Sequence, residues 1–224
     1  HTIVNANIIL GDIFFYLQNN DQAIQHFGSA QLREGVGGRS IRSEEVDIRI
    51  AKVHVRTGQY AEAREKLKIV FESTEKRSMH LHHTQALIIS GECDLEEGDL
   101  DSAEHKFSRA AEMAKQKGLR YEYLWGRIGL AKLAFQKHQF ASLEQQLNTL
   151  RLESQALNTP WLTLDILAIN AKLFKELKKT EAPRDVVATF NSVVNAIDLN
   201  TNSGPLRQDF LQASQIWKDN CRIP

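Results

Sequence analysis

Residues able to do chemistry recur along this chain at a fixed interval of 40. Asp12, Lys52, Glu92 and Lys132 form a row of alternating charge, which Lys172 extends. Ile8, Ile48, Ile88 and Ile128 form a parallel apolar row. Charges at this spacing either pair with one another along stacked helices or meet the charges of a partner. Exposed pairs of the first kind contribute little, about 0–1 kcal/mol each. The isoleucines either pack helices together or give a recognition surface an apolar floor. Tyr16 and Trp125 are large aromatics of the kind that anchors interfaces, with simple packing as the other reading.

Other candidate chemistry has a plainer account. His80 and His83 can share a helical face, but a closed zinc site takes about four ligands and no Cys or paired His lies nearby. His80, His82 and His83 therefore read as a solvated helix start, and no metal is expected. His54 reads as a packed interior residue. The sequence holds no Gly-x-Ser-x-Gly, no His-Glu-x-x-His and no phosphate loop. Gly35 to Arg39 (GVGGR) lacks the Lys-Ser/Thr of such a loop and reads as a flexible hinge. No catalytic residue, cofactor or enzymatic activity is expected. Glu44-Glu45, Glu96-Glu97 and the Asp99/Asp101 pair sit at helix ends, and acid near a helix start suits the helix dipole.

Helices must position these rows. Ile3, Ile9, Leu10, Phe14 and Leu17 have helical spacing over residues 2–17. Asn19-Asn20-Asp21 is a turn, with Asp21 the expected N-cap of a helix over 22–34. Further helices are expected over 43–57 and 60–75, turning at Gly58, and over 78–97 and 100–117, turning at Gly98. A fourth pair spans 120–137 and 140–156, turning at His138-Gln139. Thr159-Pro160 starts the next helix, 160–178. A degenerate partner follows over 183–199, with Pro183 where an alanine is expected. After a loop from Asn200 to Pro205, a last helix over 205–219 puts Leu206, Phe210, Ala213 and Trp217 on one stripe. That suits a cap over the last apolar face.

A common frame unites the pairs. Gly11, Gln18, Ala23, Phe27 and Ala30 return 40 residues on as Ala51, Gly58, Ala63, Leu67 and Val70. They return again as Gly91, Gly98, Ala103, Phe107 and Ala110, then as Ala131, His138, Leu143, Leu147 and Leu150. A period kept without slippage marks a solenoid of helical pairs. The expected fold is all-α, one array over residues 1–224, with pairs at about 2–34, 43–75, 78–117, 120–156 and 160–199.

Bulk composition narrows the partners. The chain has 224 residues with 28 Lys+Arg against 28 Asp+Glu, so it carries no basic excess to neutralise phosphates. Nucleic acid is therefore not an expected partner. No apolar run approaches the ~20 residues of a membrane span, no signal peptide is visible, and a cytoplasmic location is expected. Cys93 lies mid-helix and far from Cys221, so a buried reduced thiol is the better reading.

The frame resembles the tetratricopeptide repeat. Leu10-Gly11, Phe14, Ala23, Phe27 and Ala30 match its pattern position by position, and Gly91, Ala103, Phe107 and Ala110 match it again. Four copies cover residues 4–157, and a decayed fifth extends the likeness to 197. The family period is 34 residues, against 40 here, so longer helices and longer connectors between repeats are expected. The variant resembles arrays in large regulatory and scaffold proteins.

The resemblance implies an α-α superhelix of five helical pairs and a capping helix. It also implies a concave groove lined by the first helix of each pair. Groove positions would be Asn5, Ile8, Asp12, Phe15 and Tyr16; then Glu45, Ile48, Lys52, Val55 and Arg56; then Gln85, Ile88, Glu92, Leu95 and Glu96; then Trp125, Ile128, Lys132, Phe135 and Gln136. Such a groove suits a helix or an extended peptide of a protein partner. Asn5 stands without the Lys and Arg that complete the family's carboxylate clamp. The implied function is a protein-interaction scaffold, the regulatory or partner-binding part of a larger signalling assembly. The alternative is a sensor that binds a small effector or signalling peptide, with Tyr16 and Trp125 in the pocket. Self-association through the apolar floor stays open.

Overall fold

The computed structural model describes residues 2–34, 41–178, 184–200, 208, 210–212 and 214–215. Its helices are α1 (Thr2–Tyr16), α2 (Asn20–Glu34), α3 (Ile41–Arg56), α4 (Tyr60–Lys76), α5 (His80–Glu97), α6 (Leu100–Lys117), α7 (Arg120–Gln136), α8 (Phe140–Ala156), α9 (Pro160–Glu176) and α10 (Arg184–Asn200). No strand occurs among the described residues. Boundaries expected from apolar spacing hold to within two residues. The Gly35–Arg39 hinge, Pro183, residues 201–205, Leu206, Ala213, Trp217 and Cys221 lie outside the described residues. Phe210 of the expected capping stripe is buried.

The chain divides into two compact units, His1–Gly129 and Leu130–Pro224, with the division inside α7. In the first unit α1 packs on α2, α3 on α4 and α5 on α6. These hairpins then join through α2 on α3, α4 on α5, α1 on α3 and α3 on α5. One hairpin cannot hide its own apolar face, and the next completes it. Val4, Ile8, Phe15, Ala23, Phe27 and Ala30 thus share a core with Val46, Ile50 and Val53 of the next pair. Small residues set the approach inside each pair. A methyl group on Gly11 would lie 2.3 Å from the Phe27 ring, and one on Gly91 would lie 2.9 Å from Phe107.

In the second unit α8 packs on α9 and α9 on α10. Leu164, Leu167, Ala171 and Phe174 share a core with Val186 and Phe190. Ala131, Leu143, Leu147 and Leu150, the frame residues here, are buried.

The turns show that the repeat has a finer step. A left-handed residue occurs at Gln18, Gly58, Gly98, His138 and Lys178, and at Ser78, Gly118 and Asn158 between them. The next residue then donates its N–H five residues back. Gln59 reaches the His54 carbonyl at 2.8 Å, Met79 reaches Thr74 at 3.0 Å, Asp99 reaches Asp94 at 2.9 Å and Thr159 reaches Ser154 at 3.0 Å. This is the Schellman closure, which satisfies carbonyls left over at a helix end. Connectors within a pair (57–59) and between pairs (77–79) both have three residues. The expectation of longer connectors between repeats is therefore corrected at these turns: helices of 17 or 18 residues from α4 to α9 absorb the extra length. A second correction concerns α2. It starts at Asn20, and Asn19 caps it by accepting from the Gln22 N–H at 3.2 Å, so Asp21 lies inside the helix.

Candidate partner-binding face

The first unit places α1, α3, α5 and the start of α7 so that their 40-residue rows can be compared. Ile8, Ile48, Ile88 and Ile128 are all buried. That row is packing and not a floor open to a partner. Asp12, Lys52 and Glu92 are each half-buried, and in the second unit Lys132 is half-buried as well. Asn5 and Glu96 are exposed, as is Gln136 in the second unit. Tyr16, Glu45, Arg56 and Gln85 are half-buried, while Phe15 and Trp125 are buried.

Lys52 is held by aromatic rings. Its ammonium lies 4.7 Å from the Phe15 ring centre, 5.0 Å from Tyr16 and 4.9 Å from Trp125. It also donates to the Tyr16 hydroxyl at 3.5 Å. A cation over a ring face gains about 0.5–2 kcal/mol, more as water is excluded. The Arg56 guanidinium stacks 3.3 Å from the Phe15 ring centre and donates to the Phe15 carbonyl. Helices α1, α3 and α7 therefore converge on one lysine.

The alternating row is not a simple ladder. Asp12 bonds to Arg49, whose Nε lies 2.9 Å from a carboxylate oxygen, and Arg49 also pairs with Glu45 at 3.0 Å. Burial pushes the Asp12 carboxyl above its ordinary range, and the Arg49 charge and hydrogen bond oppose that. Sequence reasoning passed over Arg49, although it stands four residues after Glu45, the spacing that pairs charges on a helix. Farther along, Gln85 donates to the buried Glu122 at 2.8 Å. The face as a whole presents fixed charges of both signs beside half-buried rings. It suits hydrogen bonds and ion pairs to a polar segment.

The histidine cluster is not a solvated helix start. Only His80 is exposed. His82 is half-buried, and burial lowers its pKa against the opposing pull of Glu45 and Glu44. His83 shares a hydrogen bond with Thr74 at 3.0 Å and sits edge-on to Phe71, with its pKa lowered by burial and then by Arg109. No group of three or more metal-ligating side chains comes together among the described residues. His54 is likewise not an interior residue: it is half-exposed and bonds to Gln59 at 2.6 Å. Cys93 is buried and free, with burial raising its thiol to about 11.

Several buried charges escaped the sequence reading. Asp94 pairs with Arg64 of α4 at 2.7 Å and with Lys106 of α6 at 2.5 Å, so it ties three helices. Burial works to raise its pKa, but hydrogen bonds from Lys106, Arg64 and Ser102 outweigh burial and hold it low. A signal was available: Asp94 occupies the frame position held by Phe14 and Phe174. Glu44 stands in the first turn of α3, and it is fully buried and takes a hydrogen bond from Ser73 at 2.5 Å. Asp47, also buried, accepts from Gln31 at 2.6 Å. In the second unit the buried cation is Arg151, bonded to Asp185, Asn148 and Thr189. These networks follow from tertiary packing, which local spacing does not encode.

No protein-family model matches the chain, and no curated protein matches it. No described helix is long and apolar enough to cross a membrane.

Proposed function

We propose that the chain is a protein-interaction scaffold of the tetratricopeptide type. In this reading the α1/α3/α5/α7 face receives a helix or extended peptide of a protein partner. The supporting observation is the half-buried polar row at Asp12, Lys52 and Glu92, set above isoleucines that are fully committed to packing. A surface that is rigid below and polar above gives register and charge selection without a deep cavity. Asn5, Glu92 and Glu96 are the residues best placed to meet a partner, and Arg49, Lys52 and Arg56 would hold the neighbouring charges in position. The part played by this face is recognition and not catalysis, within a larger signalling or multi-subunit assembly in the cytoplasm.

The sensor reading finds less support at this face. The space between Tyr16 and Trp125 holds the Lys52 ammonium, so an effector there would have to displace it.

Charge reversal tests the proposal. The full chain is used as bait in extract from its own cells, and captured proteins are titrated against Glu92→Lys and Glu96→Lys. The proposal expects weaker binding, by about tenfold for the pair, in variants that remain folded. Normal binding of every captured partner to both variants would remove this face as the site.

A further inference from the structure

Helix α1 is apolar on two opposite sides. Val4, Ile8, Gly11 and Phe15 turn to the core of the first unit and are buried. At the helical period, Ala6, Leu10 and Ile13 fall on the reverse side, with Ile3 and Ile9 at its margins. Ile3 is 54% and Ile9 58% exposed, Ala6 is exposed, and Leu10 and Ile13 are half-buried. A helix apolar all round is ordinarily covered all round. Residues 2–11 contain no Asp, Glu, Lys or Arg, so no charge solvates this side.

The repeat shows what lies on the same side elsewhere. Val46, Ile50 and Val53 stand 40 residues after Ala6, Leu10 and Ile13, and they are buried in one core with Ala23, Phe27 and Ala30 of α2. A further 40 residues on, Ala86 and Ile89 repeat the residue types of Ala6 and Ile9. Both are fully buried in α5, which packs on α4 and α3. In α7 a methyl group on Gly126 would lie 3.3 Å from Ala111 of α6, and one on Gly129 would lie 2.4 Å from Phe107. The recurring cover is thus the second helix of the preceding pair. Its apolar stripe runs small, large, small, as in Ala63, Leu67 and Val70 of α4.

We propose that the open side of α1 is a docking site for an amphipathic helix of a partner protein, one carrying such a stripe at i, i+4 and i+7. A second copy of the chain has no such stripe to spare among the described residues. Helix α2 packs on α1 and α3, α4 on α3 and α5, α6 on α5 and α7, and α8 on α9. Helix α10 commits Val186 and Phe190 to the core shared with α9. The site shares no residue with the polar row at Asp12, Lys52 and Glu92, so either reading can fail alone.

Fluorescence anisotropy of the full chain tests it, with a labelled peptide of the α4 sequence, Tyr60–Lys76, as probe. A lactam joining Glu72 to Lys76, both exposed in α4, holds the peptide helical. The peptide is expected to bind with a Kd of about 100 µM or tighter, and Leu67→Glu in the peptide should abolish binding. In the chain, Ile9→Glu and Ala6→Glu should each weaken binding about tenfold or more while the protein stays folded, because both positions are exposed. Leu152→Glu, a comparably exposed apolar position in the second unit, should bind the peptide as the native chain does. No binding at millimolar peptide would overturn the proposal, as would equal binding of a scrambled peptide or undiminished affinity in both α1 variants. Sedimentation supplies the remaining arm: a native dimer dispersed by Ile9→Glu would assign this side of α1 to a second copy and overturn the partner helix.

Discussion

The two units close their helices with the same backbone turn and different residues. In His1–Gly129 the left-handed position is glycine at 58, 98 and 118, with Gln18 and Ser78 elsewhere. In Leu130–Pro224 it is His138, Asn158 and Lys178. Interiors differ in the same direction. The first unit sets Gly11 against Phe27 and Gly91 against Phe107, while the second buries Ala131, Leu143 and Leu147 at the matching positions. Their central buried charges also differ. Asp94 is met by two cations, whereas Arg151 bonds to Asp185, Asn148 and Thr189. One backbone repeat thus carries a different set of interior residues in each unit.

The largest effect should come from the glycine–phenylalanine fit. Gly11→Ala puts a methyl 2.3 Å from the Phe27 ring, which is 1% exposed and has no room to retreat. Overpacking of this kind costs about 2–3 kcal/mol. Phe27→Leu alone leaves a void and costs about 1–2 kcal/mol. Together the changes recreate the Ala51/Leu67 pair of the second hairpin, which is buried and accommodated. The double variant should therefore be more stable than the sum of the singles, by about 1 kcal/mol or more in urea unfolding. Strict additivity would show that residue size does not pair across the hairpin.

Next in size is the Asp94 network. Asp94→Asn leaves Arg64 and Lys106 without their shared anion and should cost about 2 kcal/mol near neutral pH, a value kept modest because both cations remain partly solvated. The pH dependence has a definite sign. A carboxyl held below its ordinary 3.8 contributes stability in full above that value and loses it as pH falls through the folded value. The gap between the native chain and Asp94→Asn should accordingly be wide at neutral pH and close only as pH falls below 3.8. A gap that persists in acid would mean that the side chain matters by shape alone.

Much of the fold was legible because it is local. Apolar spacing located each helix, and Gly58 and Gly98 marked turns because only a residue free of Cβ strain sits there without cost. The turn at Ser78 follows the same 20-residue step, yet a serine in a left-handed turn carries no distinctive sequence mark. The isoleucine row was visible, but its burial depended on how closely neighbouring helices approach. Lys52 looked like a rung of a charge ladder. Its surroundings, Phe15, Tyr16 and Trp125, come from helices more than 30 residues away in either direction, which no local pattern connects. Arg49 has a local partner in Glu45, but its bond to Asp12, like the Arg151 bonds to Asp185 and Thr189, is set by packing.

The smallest effect concerns the turns themselves. A side chain in the left-handed region costs roughly 1 kcal/mol, and glycine removes that strain while adding freedom to the unfolded chain. Lys178→Gly should stabilise by about 0.5 kcal/mol, the strain relieved less the entropy added. Gly98→Ala should destabilise by about 1 kcal/mol, because its φ of +84° is unfavourable for alanine although no atom lies near the new methyl. His138→Gly should gain less than Lys178→Gly, since His138 also packs edge-on to Phe140 at 5.5 Å and that contact would be lost. Lys178 is exposed and makes no ring contact, so its change isolates the backbone term. Were Lys178→Gly to destabilise the chain as Gly98→Ala does, conformational strain would not distinguish the turns of the two units. The difference between glycine and non-glycine positions would then have to reside in the unfolded state.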